Sequence, residues 1–251
     1  MTEQHPDSVE WLRRWEAQQQ RHIPEREDRF SAIVDALAAF AGDAPRVLDL
    51  GSGPGSLSAR VLERLPQAEI VAIDTDPVLL AIGADALRKR TRLHFVNADL
   101  RGDWLARLPL QPPFDAAVST TALHWLALEE LLPFYRTVAK VLRSGGVLLN
   151  GDRLEFDHDQ PLIGRVAEAV QPNWPPAPDG AEDYDAWWKA VEAEPGFAEA
   201  VAERRARRHD RPHDHPGHTY EFHRAALFAA GFAEAGTVWQ RLFNRVLVAV
   251  R

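Results

Sequence analysis

The stretch Val47-Leu-Asp-Leu-Gly-Ser-Gly-Pro-Gly-Ser-Leu-Ser58 decides the fold of this chain. Its first four residues are typical of a short buried strand, and glycines then follow at every second position. Glycine allows positive φ and lets a ligand approach without a Cβ in its way. The dinucleotide motif G-x-G-x-x-G would need glycine where Ser56 stands, and no Gly-Lys-Ser/Thr of a phosphate loop follows. The stretch predicts a strand, a ligand-binding turn and a helix.

Further runs of strand length follow, and stretches of helical length separate them. The strand-like runs are Glu69–Ile73, Leu93–Val96, Phe114–Val118 and Gly146–Asn150. The helical stretches are Ser56–Leu65, Pro77–Leu87, Trp104–Leu108 and Leu126–Leu142. This alternation predicts the α/β class with a doubly wound, mostly parallel sheet. Two closely spaced runs at the end predict an antiparallel hairpin, giving seven strands with an antiparallel last strand: Gly236–Gln240 and Arg245–Val250.

We expect residues 1–251 to form a single domain with four parts. Residues 1–42 carry two helices and residues 43–153 form the ligand-binding core. The strand signal disappears over residues 154–219, which predicts a helical lid inserted into the fold, and residues 220–251 add a helix and the hairpin. The N-terminus has no basic leader or apolar core. The apolar run from Ala116 to Leu128 is shorter than the roughly 20 residues a bilayer needs, so we expect a soluble cytoplasmic protein.

Composition excludes several classes of function. The chain has no cysteine, which rules out disulfides, thiolate metal sites and a cysteine nucleophile. It has 29 Lys and Arg against 37 Asp and Glu, a net charge of −8. This acidic balance argues against nucleic-acid and membrane partners, because both need a cationic surface.

Aspartates mark the first three strands. Asp74 ends the second strand, where a ribose diol would lie across the switch point of the sheet. Asp76 is the expected N-cap of the next helix, with Pro77 in its first position, so Asp74 remains for a ligand. Asp99 follows the third strand and can accept a hydrogen bond from an exocyclic amine. An aspartate after a strand is usually a cap or turn residue, so the argument rests on the combination with the glycine turn.

Residues 47–151 resemble the core of the class I S-adenosylmethionine-dependent methyltransferases. Four segments are similar to family motifs: Asp49–Gly55, Ala72–Pro77, Asn97–Leu100 and the fourth strand Phe114–Val118. The antiparallel terminal strand resembles the one that distinguishes this fold from the dinucleotide-binding fold. The segments Leu123-His-Trp-Leu126 and Pro24-Glu-Arg-Glu-Asp-Arg-Phe30 look most like the trans-aconitate methyltransferase-like group, which acts on small molecules and carboxylates.

The resemblance implies S-adenosyl-L-methionine as cofactor. Gly51, Gly53 and Gly55 would lie behind its methionine part. Asp49 would reach its ammonium group through water, and Ser119 would line the site near the methyl group.

The resemblance also implies an adenosine site. Asp74 would accept both ribose hydroxyls, and Asp99 would hold the adenine amino group beside the Leu100 backbone. Thr75 stands where the family often has an apolar residue against adenine, so the sequence departs from the family pattern at that contact.

Two arginines lie on the fold-facing side of the second helix. Arg26 and Arg29 each precede an apolar core position by four residues, and a buried arginine needs a carboxylate partner. The cofactor carboxylate would be such a partner, in particular for Arg26. The alternative is a structural ion pair with a core acid or with Glu27 or Asp28.

His124 is the candidate catalytic residue. It follows the fourth strand at the ligand-binding edge, where it would act as general base or orient a carboxylate acceptor. Trp125 would wall the substrate pocket. The alternatives are a helix cap for His124 and a core position for Trp125. Trp187 and Trp188 would close over the substrate, or would anchor the lid to the sheet.

Two polar clusters have simpler interpretations. The histidines from His209 to His223 fit a metal-assisted reaction only as a minor alternative, because they crowd a Pro-rich polar segment; we expect no metal. The run Arg204-Arg-Ala-Arg-Arg208 is typical of a solvated helix face.

The predicted function is methyl transfer from S-adenosylmethionine to a small molecule, at oxygen of a carboxylate or hydroxyl. One alternative is an NAD-type oxidoreductase, against which Ser56 and the terminal hairpin argue. The other is an inert cofactor-binding protein, against which the intact Asp49, Asp74 and Asp99 argue. The sequence does not indicate an oligomeric state.

Overall fold

The computed structural model describes residues 6–23, 25–170, 182–207 and 217–251. Its helices are α1 Ser8–His22, α2 Arg26–Ala41, α3 Ser56–Arg64, α4 Pro77–Ala86, α5 Leu128–Val141, α6 Pro161–Val170, α7 Tyr184–Ala193, α8 Ala198–Arg207 and α9 Tyr220–Ala229. Its strands are β1 Arg46–Leu50, β2 Glu69–Asp74, β3 Leu93–Asn97, β4 Phe114–Thr120, β5 Leu142–Arg153, β6 Glu234–Arg241 and β7 Asn244–Val250. No helix in the described ranges is long and apolar enough to cross a membrane.

The seven strands form one sheet in the order β3-β2-β1-β4-β5-β7-β6. Strands β1 to β5 are parallel, and β7 runs antiparallel between β5 and β6. This confirms the predicted topology, with its switch point between β1 and β4. Strand β5 is longer than predicted and reaches Arg153, because β7 pairs with it as far as Asn244.

The core has a layer on each face of the sheet. Strand residues such as Leu48 and Leu148 pack with α5 and α9 on one face, and Val47 and Val147 pack with α2 and α3 on the other. These side chains are fully buried. Burial on both faces is the reason that the parallel strands are almost continuously apolar in sequence.

Helices α6 to α8 lie between β5 and α9 in the chain, in the stretch for which we expected a helical insertion. Its two ends meet where Glu155 forms a β-bridge with Thr219. Helices α7 and α8 pack on α1 and α4 in a cluster that contains Trp15, Ile82 and Val201. Residues 171–181 of the insertion lie outside the described ranges.

Candidate active site

The glycine turn lies between β1 and α3 with the conformation that the sequence predicts. Gly51, Gly53 and Gly55 have φ values of +75°, +54° and +84°, which side chains with a Cβ rarely adopt. A Cβ on Gly51 would also lie 2.3 Å from the Cβ of Ala122, the residue two positions beyond β4. The turn therefore packs directly against the segment that leads to His124.

Asp49 lies beneath this turn and is completely buried. Its Oδ2 accepts a 2.6 Å hydrogen bond from Ser58 Oγ, whereas Oδ1 has no partner among the described residues. Burial disfavours the charged form and raises the pKa of Asp49 to about 7. An unsatisfied buried carboxyl oxygen is costly unless a ligand donates to it or reaches it through water.

Asp74, at the end of β2, connects the second strand to the glycine turn. Its carboxylate accepts hydrogen bonds from Gly53 N at 2.7 Å and Asp76 N at 2.8 Å. Although part of the residue is exposed, protein surrounds the carboxyl group and raises its pKa to about 6. Asp76 caps α4 as predicted, through Val78 N and Leu79 N.

Asp49 and Asp74 share one electrostatic property. Within the described ranges, neither forms an ion pair with a basic side chain, and burial, hydrogen bonds and neighbouring carboxylates, not a cation, set their pKa values. Two such carboxyl groups beside a glycine turn suit a ligand that brings its own positive charge and hydroxyl donors. These two acceptor groups therefore fit the ammonium group and ribose hydroxyls of S-adenosylmethionine, which are donors.

Asp99 and Leu100 lie at the neighbouring strand end. Asp99 is exposed and holds the Arg101 guanidinium, with Nη2 2.7 Å from Oδ2 and Nε 2.8 Å from Oδ1. Leu100 lines a cavity of about 240 Å³ together with Trp104 and Leu126. The structure thus provides a half-buried space beside the position predicted for adenine.

The insertion reaches this edge of the sheet through two arginines. Arg204 Nε lies 2.6 Å from Asp76 Oδ2, and Arg207 donates to the carbonyl of the exposed Thr75 at 3.0 Å. Only 14% of the Arg204 side chain is exposed. The prediction of a solvated helix face is therefore wrong for Arg204, because α8 packs on α4 and brings this arginine to Asp76 and to the ring of Trp188.

Ser119 is buried inside the sheet. Its Oγ donates a 2.7 Å hydrogen bond to the carbonyl of Leu50. This hydroxyl joins β4 to β1 inside the sheet. We had expected it to line the site near the methyl group.

His124 lies in a short 3-10 turn after β4, and its Nδ1 is 2.8 Å from Oδ1 of Asp152. Asp152 is buried, and His124 and Arg29 hold its pKa below the usual value against the effect of burial. An ionised Asp152 fixes the tautomer with Nδ1 protonated and makes Nε2 the basic ring nitrogen. Asp152 was not among the site residues predicted from the sequence. The signal that could have found it is a carboxylate two residues after the predicted end of the strand at Asn150.

Trp125 lies beside His124, with the two ring centroids 5.2 Å apart. Its side chain is 46% exposed, so it is not the core residue of the alternative interpretation. The structure brings His124, Asp152 and Trp125 together at the carboxyl ends of β4 and β5.

The two arginines of α2 have different surroundings. Arg26 Nη1 pairs with Glu16 Oε2 of α1 at 2.6 Å, and Arg60 donates to the same oxygen. This arrangement favours the structural ion pair for Arg26 over the predicted cofactor contact. Arg29 instead reaches Thr121, where its Nη2 donates to Oγ1 at 2.5 Å.

Trp187 and Trp188 are buried in an aromatic cluster. Trp187 is fully buried and meets the rings of Trp11 and Trp15 at centroid distances of 6.1 and 4.9 Å. Trp188 packs beneath Arg204, whose guanidinium lies 3.6 Å from a ring centroid. Their burial against α1 and α8 favours the anchoring interpretation over the substrate-lining one.

Two of the clustered histidines form a buried hydrogen-bonded chain. Tyr135 Oη lies 2.6 Å from His223 Nδ1, and His223 Nε2 lies 3.1 Å from His218 Nδ1. Burial lowers the pKa of His223 to about 4, so it is neutral at physiological pH. The described part of the chain contains no group of three metal-ligating side chains, and His209, His213 and His215 lie outside it.

Comparison with known proteins identifies the family. Residues 47–146 match the family model described as a methyltransferase domain. A trans-aconitate 2-methyltransferase of Methylobacterium nodulans is 32% identical over 190 residues, which cover 70% of this chain and 68% of the relative. The chain belongs to the class I S-adenosylmethionine-dependent methyltransferases. A trans-aconitate 2-methyltransferase of Azoarcus is 34% identical to this methyltransferase over 63% of the chain and 57% of the relative.

Solved structures share the fold of this methyltransferase at low sequence identity. An O-methyltransferase-like protein of Nostoc punctiforme has a TM-score of 0.60 at 15% identity, over 96% of this chain and 60% of that one. Human N-acetylserotonin methyltransferase, solved in complex with S-adenosylmethionine, has a TM-score of 0.56 at 18% identity, over 98% of this chain and 56% of that one. The cofactor of the family is S-adenosylmethionine. The negative charge and acceptor oxygens of Asp49 and Asp74 fit this cofactor.

Proposed function

We propose that this methyltransferase methylates a carboxylate oxygen of a small organic acid. The observation that carries the proposal is the pair formed by the half-buried His124 and the buried Asp152 beside Arg29, which places donors and positive charge at the ligand-binding edge. The names of the relatives support it, because they are trans-aconitate 2-methyltransferases.

The cofactor-binding roles extend this proposal. The turn from Gly51 to Gly55 would lie behind the methionine part, Asp49 would receive the ammonium group and Asp74 the ribose hydroxyls. Asp99 and the Leu100 backbone would bind adenine. When bound, S-adenosylmethionine supplies an electrophilic methyl carbon.

The residues around the acceptor mainly position it. An ionised carboxylate needs no base, so His124 would act in its doubly protonated form. Its Nε2–H would donate to the carboxylate, while its Nδ1–H donates to Asp152, which holds the ring in place. Trp125 would cover the reacting oxygen and exclude water. Such positioning can contribute up to about 7–11 kcal/mol to a displacement of this kind.

A hydroxyl acceptor is the second candidate, and the same pair favours it. Asp152 keeps His124 Nδ1 protonated, so that Nε2 can take a proton from a hydroxyl group. A general base contributes about 10²- to 10⁴-fold to the rate. The two candidates therefore differ in how strongly turnover depends on His124.

The test uses S-adenosylmethionine with a ¹³C methyl group and trans-aconitate as acceptor, with mass spectrometric detection of the methyl ester. We expect the ester to form, and we expect His124→Ala to lower kcat by less than about 10²-fold, the smallest effect of a lost base. His94→Ala is the matched control, because His94 lies 3.5 Å from Glu69 at the opposite end of the strands. A larger loss with hydroxylated acceptors only would favour the second candidate, and no transfer to either class would refute the proposal.

A further inference from the structure

The Arg29 side chain extends from α2 across the end of β5 at Gly151. Only 2% of the residue is exposed. A Cβ on Gly151 would lie 3.1 Å from both Cγ and Cδ of Arg29 and 2.8 Å from Cδ1 of Ile33. The absence of a side chain at Gly151 therefore lets the arginine stem cross the strand toward the ligand-binding edge.

The Arg29 guanidinium has fewer partners than its burial demands. Its Nη2 donates to the neutral Thr121 hydroxyl, and its Nε is buried without a partner among the described residues. Asp152 is the acid whose charge favours protonated Arg29, but its Oδ1 is engaged by His124. Burial lowers the pKa of Arg29 only to about 10, so the group stays cationic at neutral pH.

Two other buried arginines show how such a charge is normally accommodated. Arg26, one turn earlier on α2, has its ion pair with Glu16. Arg245 also has an unpartnered Nε, but its guanidinium lies 4.9 and 5.0 Å from the ring centroids of Phe156 and Tyr220. Within the part of the chain that the structure describes, Arg29 has neither a hydrogen-bonded acid nor a stacked ring, and Asp152 acts on it only through its charge.

Thr121 supplies a second, independent observation at the same place. Its φ is +53°, an unfavourable conformation for a β-branched residue. Its amide donates to Gly151 O at 2.9 Å, and the next residue, Ala122, packs against Gly51. Backbone strain of this kind clusters at ligand sites, and this strained residue lies between the glycine turn and Arg29.

We propose that Arg29 and Thr121 form a carboxylate-binding subsite. The guanidinium would hold the carboxylate through Nε and a terminal nitrogen, which is the usual bidentate geometry. The carboxylate has two possible sources, the methionine part of the cofactor or an acceptor with a second carboxyl group. A carboxylate from the acceptor would depend on the proposed function. A carboxylate from the cofactor would depend only on this chain being a methyltransferase that binds S-adenosylmethionine.

Calorimetry distinguishes the two sources. S-adenosylhomocysteine carries the methionine-derived carboxylate and 5′-methylthioadenosine lacks it, so both are titrated into wild type and Arg29→Gln. Trans-aconitate is then titrated into protein saturated with S-adenosylhomocysteine. Loss of a hydrogen-bonded charge predicts about 10- to 150-fold weaker binding of the ligand whose carboxylate Arg29 holds.

Three outcomes are informative. Weaker binding of S-adenosylhomocysteine with unchanged 5′-methylthioadenosine binding supports the cofactor source. Weaker trans-aconitate binding alone supports the acceptor source. Unchanged affinity for S-adenosylhomocysteine, together with no effect on trans-aconitate or no binding of it to wild type, overturns the subsite. Failure of the proposed function would appear separately, as the absence of ester formation. The titrations of S-adenosylhomocysteine into wild type and Arg29→Gln would still test the subsite in that case.

Two further variants separate binding from folding. Ile33→Val shortens the neighbouring α2 side chain that faces Gly151 and leaves the charge intact. We expect it to lower Tm slightly without changing either affinity. Thr121→Val keeps the β-branched shape and removes the hydroxyl, so it should weaken the same ligand as Arg29→Gln by a smaller factor. If Arg29→Gln does not fold, an unchanged affinity in Thr121→Val overturns the subsite.

Discussion

Gly83 provides a sharp test of how the fold builds the glycine turn. It lies inside α4, and a Cβ there would be 2.5 Å from the carbonyl oxygen of Pro54 and 2.8 Å from Cζ of Phe95. Pro54 belongs to the turn between Gly53 and Gly55. The substitution Gly83→Ala therefore pushes a helix against the backbone that would face the cofactor.

The size of the effect follows from two opposing contributions. Alanine in a helix interior is favoured over glycine by about 1 kcal/mol. Overpacking typically costs about 1–3 kcal/mol, and the upper part of that range, about 2–3 kcal/mol, applies here because a contact with a backbone carbonyl cannot be relieved by a change of rotamer. We expect the free energy of unfolding to fall by about 1–2 kcal/mol, which for a chain of this length lowers Tm by roughly 2–8 °C.

The matched control is Gly164→Ala in α6, where the nearest atom to an added Cβ is Phe156 Cβ at 3.8 Å. This variant gains helix propensity without a clash, so its Tm should stay the same or rise. Thermal unfolding and calorimetric binding of S-adenosylhomocysteine measure both effects. Equal stability and equal affinity for Gly83→Ala and wild type would refute the packing argument.

Three further predictions follow from the charged groups. Glu16→Gln leaves the buried Arg26 without its acid and should lower the free energy of unfolding by about 1–3 kcal/mol in urea; an unchanged midpoint would contradict the ion pair. Asp152→Asn should lower kcat without changing the S-adenosylhomocysteine affinity. The pKa of Asp152 is lowered on folding, so the stability that its ionised form contributes is present above the unfolded pKa, near 4, and is lost at lower pH. The difference in the free energy of unfolding between Asp152→Asn and wild type should therefore shrink on acidification. The pKa values of Asp49 and Asp74 are raised on folding to about 7 and about 6, so the stability linked to them is present below about pH 4 and is lost as pH rises through those values. The ammonium group and ribose hydroxyls of S-adenosylhomocysteine favour the ionised forms of these carboxyl groups, so its binding at pH 6 should release protons, and the release should vanish near pH 8. Calorimetry in buffers of different ionisation enthalpy measures this release, and equal release at both pH values would contradict the assignment.

Features that depend on neighbouring residues in the chain were predictable from the sequence. The apolar strands, the glycine turn and the cap formed by Asp76 each leave a local pattern, and the structure confirms them. The burial of Asp49 also follows, because it lies within a strand that is covered on both faces.

Features that depend on packing between distant segments were not predictable. Arg26 and Arg29 lie on the same side of α2, so the sequence pattern does not distinguish them. Only the position of α1 brings Glu16 to Arg26. Asp152 meets His124 because β4 and β5 end side by side, 28 residues apart in sequence. The tryptophans of α7 were ambiguous for the same reason, since periodicity identifies an apolar face but not the element that covers it.

The most direct test of the account is calorimetric titration of S-adenosylhomocysteine and NAD into wild type, Asp74→Ala and the control Asp85→Ala. Asp85 lies on the exposed side of α4, 3.5 Å from Arg88. We predict that wild type and Asp85→Ala bind S-adenosylhomocysteine and not NAD, and that Asp74→Ala loses at least about tenfold in affinity, the equivalent of one net hydrogen bond to a charged group. Binding of NAD without S-adenosylhomocysteine, or full affinity in Asp74→Ala, would contradict the account.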